Sequence, residues 1–197
     1  SVQAAIADAV NGSTVLVHDG TYIEQINFLG KSLDVRSVNG PLAAVIDGNG
    51  TGPVVAFEND EGSDCSLTGF TLTNGLGTTN AGGGIFLVGN AAPLISNCII
   101  TGNNGVDFGG GIHMGGYVSP IFTNCIIADN DAETGGGINC GGEASPVFIN
   151  CTVTGNRAGI SGGGIRCGDW VTATIVNSIL WGNNASGSPD EIVLTGT

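Results

Sequence analysis

One four-residue phrase recurs along this chain and limits what it can fold into. Gly-Gly-Gly-Ile stands at residues 82–85, 109–112, 135–138 and 162–165, at intervals of 27, 26 and 27 residues. A period of that size belongs to stacked units, each laid on the one before and too small to bury its own apolar face. A second phrase keeps the same interval. It runs Ile95-x-Asn97-Cys98-x-Ile100-x-x-Asn103, then Phe122 to Asn130, Phe148 to Asn156, and Ile175 to Asn183. The period and this phrase both approach the leucine-rich-repeat pattern, but the rest of each unit decides against that fold. Residues 104–116 contain six glycines, and each would cost a helix roughly 1 kcal/mol relative to Ala. A unit of short strands without a helix is a coil of a parallel β-helix.

The remainder of the chain fits one all-β domain over residues 1–197, a solenoid of about seven coils. Residues 1–12 read as an amphipathic capping helix, with Val2, Ala5, Ile6, Ala9 and Val10 on one stripe and Asn11-Gly12 as the stop. Residues 13–75 read as irregular first coils, with strands at 14–17, 32–35, 44–46, 54–57 and 70–73 between Asx-Gly turns. Residues 76–184 are the regular coils. Residues 185–197 are a final partial coil, with a loop at 186–189 and a strand at 191–194. That end either continues in a longer protein or docks on another chain, because a bare strand edge invites pairing.

Side chains alternate in and out along a strand, and rungs stack about 4.8 Å apart. Ile85, Ile112, Ile138 and Ile165 are therefore placed inward, as are Leu87, Met114, Cys140 and Cys167. Phe86, His113, Asn139 and Arg166 form an outward, solvent-facing column. Cys98, Cys125 and Cys151 make an interior file, with Phe70 below and Ser178 above, and Cys65 lies outside both files. Burial alone accounts for reduced cysteines here. Cys140–Cys167 is the pair to bridge if any does. Asn97, Asn124, Asn150 and Asn177 are expected as an internal amide ladder at a turn, with Asn103, Asn130, Asn156 and Asn183 as a second column. The glycine triplets read as corners needing positive φ.

Composition narrows the function classes. Only four residues are Lys or Arg against 17 Asp or Glu, a net charge of −13. Nucleic-acid binding depends on basic side chains, so it is not expected. No run of 18 apolar residues occurs, so no bilayer-spanning segment is expected either. High polarity with little charge suits an extracellular or cell-surface protein.

Certain stretches resemble the pectin lyase-like superfamily of right-handed parallel β-helix proteins. They are the opening SVQAAIADAVNGSTVLVHDGTYIEQINF, then AVIDGNG and LTGFTLTNG. The Gly-Gly-Gly-Ile and Phe/Ile-x-Asn phrases are similar to polymorphic outer-membrane protein repeats. The resemblance implies a right-handed coil. It leaves the activity open, because that architecture carries lyases, hydrolases and adhesins alike. Lyases of the fold commonly use calcium-binding carboxylates with an Arg or Lys base, and hydrolases use several Asp residues, on one outer face. No such set stands at matching positions here. His113 and Arg166 are the only candidates for catalysis, two rungs apart. Asp60, Glu61 and Asp64, in the densest acidic stretch, are the candidates for calcium, and a solvated loop is the plainer reading of that stretch. No other cofactor is implied. Trp170 and Trp181 could stack on sugar rings, although packing is the commoner role.

The leading expectation is a noncatalytic β-helix module serving as adhesin, spacer or assembly unit, with self-association or a polysaccharide or cell-surface ligand as its partner. The alternative is a polysaccharide lyase, glycoside hydrolase or polysaccharide-binding module.

Overall fold

The computed structural model describes residues 1–187 and 190–194. A short helix, Val2–Asp8, precedes a solenoid made of strands alone, all paired in parallel. Three sheets have seven strands each. They begin with Thr14–Val17, Gly20–Ile23 and Ile26–Asn27, and are called here the first, second and third sheets. A fourth, short sheet joins Asn104–Phe108, Asp131–Thr134, Arg157–Ser161 and Asn184–Ala185. Seven stacked strands make six full turns between the first rung and the last, close to the coil number read from the sequence.

Register follows the repeat. Ile85, Ile112, Ile138, Ile165 and Ile192 are successive partners, as are Leu87, Met114, Cys140, Cys167 and Leu194. The side chains of both columns point into the coil. The isoleucines from 85 to 165 are fully buried, and so are the interior positions of the strands of the other two sheets from the third to the sixth rung. Phe28 stacks on Phe57 with ring centroids 4.6 Å apart, and Phe122 on Phe148 at 5.0 Å. Like sits on like because every turn returns the same position to the same height and face.

Strands appear where the apolar runs predict them, with shifted ends. The run at 32–35 forms Asp34–Ser37, and the run at 70–73 forms Thr71–Thr73. Gly20–Ile23, Ile26–Asn27 and Ser66–Thr68 are strands that turn-like or polar residues conceal in the sequence. The final strand is Ile192–Leu194, paired with Ile165–Cys167. Ser188 and Pro189, part of the loop expected before it, lie outside the described residues.

The helix is shorter than the stripe over residues 1–12 suggests. It ends at Asp8, and Ala9 is already extended at φ −68, ψ 148. Lys31 sets that end: its Nζ donates to the carbonyls of Ile6, Ala7 and Ala9 at 3.0, 2.6 and 2.9 Å. Glu24 holds the other end, accepting from the Val2 and Gln3 amides at 2.7 and 3.0 Å and from the Ser1 hydroxyl at 2.6 Å. Two turns of helix are marginal alone in water. Here an anion at the N-terminus and a cation at the C-terminus, each favoured by the helix dipole, fasten the helix against the first rung, where Val2 and Ile6 are buried.

The internal amide ladder is formed by the second asparagine column, not by the one expected to form it. Asn97, Asn124, Asn150 and Asn177 adopt φ of 54, 54, 54 and 50 and are exposed. The left-handed conformation turns the chain between the first and second sheets and points the side chain out of the coil. Their amides meet at 3.5 and 3.3 Å. The internal ladder is Asn103, Asn130, Asn156 and Asn183, all buried. The amide nitrogens of the first three donate to the next rung's Oδ1 at 3.0, 3.0 and 2.8 Å. Each of the four also donates to the carbonyl of Leu72, Ile100, Ile127 or Val153, in that order, at 2.9–3.0 Å. This column stands between the second and third sheets and leaves no buried side-chain polar atom unpaired among the described residues.

The glycine triplets answer two demands. Gly109 needs its positive φ of 56. Gly110 does not have a positive φ; a Cβ there would overlap the Asp131 and Gly136 carbonyl oxygens. Close approach of neighbouring rungs, more than corner geometry, keeps that position small.

Candidate functional site

The third sheet's outer column carries the two catalytic candidates, and its surroundings differ from expectation. His113 and Asn139 are buried, and Phe86 and Arg166 are half-buried. The short sheet explains the cover. Strand Asn104–Phe108 brings the Phe108 ring over His113, with centroids 5.6 Å apart, while Phe86 stacks on the imidazole from the next rung at 5.9 Å. Corner glycines Gly82 and Gly109 lie against the His113 backbone and Cβ.

Asn139 joins the two candidates. Its Nδ2 lies 3.0 Å from His113 Nδ1, and its Oδ1 accepts from Arg166 Nη1 at 3.4 Å. Because Oδ1 receives the arginine, Nδ2 is the donor to Nδ1, and the imidazole proton belongs on Nε2. Burial, seconded by the charge of Arg166, pulls the His113 pKa down to about 4. At neutral pH the ring is uncharged, stacked between two phenylalanines, with its basic nitrogen already occupied. A general base needs an available lone pair within reach of a substrate proton, and this nitrogen offers none.

The calcium candidates do not converge. Asp60, at φ 59, accepts from the Asn90 backbone and side-chain amides at 2.8 and 3.1 Å, which holds its carboxyl below the usual aspartate range. Glu61 is buried and points elsewhere, accepting from the Gly30 and Asn59 amides at 2.9 and 3.0 Å. Asp64 is exposed. Among the described residues no three His, Cys, Asp or Glu side chains gather as metal ligands would.

The cysteines form the interior files predicted. Cys98, Cys125 and Cys151 lie at matching heights on successive rungs, beside partners Ile99, Ile126 and Thr152. Burial raises the Cys65 thiol to about 12 and the Cys98 thiol to about 11, so neither is a thiolate at neutral pH. Cys140 and Cys167 share a hydrogen bond, which raises the first thiol and lowers the second.

The least expected surface belongs to the first and second sheets. From strand Ser66–Thr68 upward, no outward position of either sheet holds a charged side chain among the described residues, despite the net charge of −13. Leu94, Ile121, Ile126 and Ile179 are exposed there among Ser and Thr, and the outer asparagine column runs along the corner between the two sheets. The signal was present in the sequence: each strand triplet reads apolar or hydroxyl at its first and third positions. Trp181 ends this face at 74% exposure, and Trp170 stands 80% exposed in a turn. Neither tryptophan packs, contrary to the commoner role. No helix among the described residues is long and apolar enough to cross a membrane.

No curated protein matches the chain. A family model described as "Right handed beta helix region" matches residues 43–189, the stretch that holds the regular coils, the asparagine ladder and the uncharged face. The in-register parallel rungs and that match agree, and the chain belongs to the right-handed β-helix family.

Proposed function

We infer that this protein is a noncatalytic β-helix module working outside the cell or on its surface, where it adheres to, spaces or assembles other components through its outer face. One observation carries the reading: a regular two-sheet surface free of charge on a strongly acidic chain. Like charge keeps acidic molecules apart, so contact is cheapest where the charge is missing. Rows of Ile, Leu and Thr repeating at about 4.8 Å present a flat, semi-apolar surface to any partner. His113, stacked and hydrogen-bonded, supports a structural role for the column that holds it.

The test compares the native chain with the double variant Ile99→Lys and Ile126→Lys. Light scattering reports self-association, and adsorption is followed on polysaccharide-coated and protein-coated surfaces. Association or adhesion by the native chain, lost in the variant at unchanged circular dichroism, is the expected result. Inert monomers with no adsorbed layer would overturn the reading.

Exposed Trp170 and Trp181 favour a second reading, a polysaccharide-binding or polysaccharide-cleaving module, since an uncovered indole suits a sugar ring. Incubation with acidic and neutral polysaccharides, with and without calcium, would give new reducing ends or unsaturated products if the chain cleaves them. Retention on a polysaccharide column that Trp181→Ala abolishes would mark binding alone.

A further inference from the structure

We propose that a slot on the outer surface of the third sheet, between Asn27 and Phe86, binds a primary ammonium group on an alkyl chain, carried by a lysine side chain or by a free diamine. The outward column there runs Asn27, Ala56, Phe86 on three successive rungs. Ala56 contributes only a methyl group, so the column is interrupted for one rung. The gap from Asn27 to Phe86 spans two rung spacings, about 10 Å. Around it lies a cavity of about 440 Å³. Gln25 and Pro53 line the side where the strands begin, Glu58 the side where they end, and Thr78 and Ala81 complete the wall from the loop of the next rung.

The chemistry of this wall is one-sided. Glu58 Oε1 accepts from Asn27 Nδ2 at 2.7 Å, but its Oε2 accepts nothing among the described residues. Gln25 Nε2 donates to Thr51 Oγ1 at 2.6 Å, and no hydrogen bond reaches Gln25 Oε1 among the described residues. The amide nitrogens of Gln3, Gln25 and Asn27 each already donate within the protein. Gln3 and Asn27 each keep one side-chain N–H, but the charged group in this wall is the Glu58 carboxylate, with one oxygen still open. Phe86 stacks on His113 and remains half-exposed, so part of its ring borders the slot. No Lys, Arg or His lines the cavity.

An ammonium group carries three donors and no acceptor. It matches a carboxylate oxygen and an amide oxygen, and an aromatic ring adds cation–π attraction. The alkyl chain would lie over the Ala56 methyl and Pro53. Phosphates and carboxylates would meet Glu58 and a chain of net charge −13, so anions are disfavoured. A neutral sugar would leave the Glu58 carboxylate without a counter-charge. This slot lies on a different sheet from the uncharged face, and its failure as a site would leave the module reading untouched.

The experiment is a titration of the full chain, followed by NMR of the side-chain amides of Gln25 and Asn27. The probes are 1,4-diaminobutane, N-acetyl-lysine methylamide and glucose. Saturable shifts with the amines but not with glucose are expected. Tighter binding of the lysine derivative would point to a protein partner, and tighter binding of the diamine to a free polyamine; either upholds the site. Glu58→Gln should weaken binding about tenfold, through loss of a charge-assisted contact. Ala56→Leu fills the slot from outside the sheet, so it should abolish binding while the unfolding midpoint stays put. Absence of saturable shifts with both amines, preference for glucose, or undiminished binding by Ala56→Leu would each overturn the proposal.

Discussion

Two asparagines in every regular coil occupy chemically opposite positions. Asn130 is buried, and its Oδ1 accepts from the backbone and side-chain nitrogens of Asn103, both at 3.0 Å, while its Nδ2 donates to the Ile100 carbonyl and to Asn156 Oδ1. Asn130→Ala would strip partners from several buried groups, each costing about 1–3 kcal/mol when left unpaired. We expect a loss of about 3 kcal/mol or more in urea unfolding. Asn124 sits outside at φ 54, so Asn124→Gly, which tolerates that conformation, should change stability by less than about 1 kcal/mol. Equal effects of the two substitutions would show that burial of the ladder has been misassigned. His113 adds a pH signature at the same scale. Its folded value of about 4 lies below the ordinary 6.5, so the unfolded chain takes up a proton first as acid is added. The stability gained by keeping the ring neutral is complete above about pH 6.5 and is lost as pH falls toward 4. His113→Phe, which can keep the aromatic stack, should flatten the slope of unfolding free energy over that interval. An unchanged slope would mean that the ring is open to solvent.

At the scale of elements, the helix and the glycine corners are each governed by residues distant in sequence. Glu24 and Lys31 clamp a helix that could not persist alone. Burial raises the Glu24 pKa, but hydrogen bonds from Ser1, Gln3 and Val2 outweigh it and the net shift is downward. Its contribution is therefore present above the ordinary glutamate range and fades as pH drops through the depressed value. Lys31→Met removes three donors from the helix C-terminus. Faster hydrogen exchange at Ala5 and Ala9 with little change in the later rungs is the expected outcome, and an unaltered exchange pattern would refute the clamp. These long-range partners explain what the sequence could not disclose. The repeat announced the solenoid, the interior isoleucine and cysteine files and the absence of a helix after Asn103, because those depend only on period and alternation. The short sheet went unseen because Asn104–Phe108 is polar and glycine-bearing, and its pairing depends on the next rung rather than on its own propensity. Without that sheet nothing indicated that Phe108 covers His113, so the column was read as solvent-facing. The internal ladder was placed on the wrong asparagine column for a related reason: only the φ at Asn97 and its equivalents tells which column turns outward, and both satisfy the same spacing.

For the whole molecule, charge and stacking combine. Acidic groups outnumber Lys and Arg by 17 to four, and the ion pair among the described residues, Arg36 with Asp34 at 3.4 Å, is largely exposed and worth little. Net repulsion therefore works against the compact state. A solenoid distributes that strain: each rung contacts only its neighbours, so the cohesion resisting repulsion is the sum of rung interfaces. The first and second sheets carry no outward charge from the third rung upward, and the third sheet's outward column holds no carboxylate, which places the repulsion along the turns and the short sheet. Screening should relieve it. Raising KCl from about 0.01 to 0.15 M shortens the Debye length from about 30 to 8 Å, below the span of two rung spacings. The thermal midpoint should therefore rise over this range and then level off. Sucrose raises stability by exclusion rather than screening, so adding it at low salt should leave the KCl increment in place. A midpoint that is flat or falls with KCl would mean that the acidic side chains are spaced widely enough for solvent alone to screen them. Lysine substitutions at Ile99 and Ile126 should then weaken the proposed adhesion by disrupting the face itself, with no part played by the charge that surrounds it.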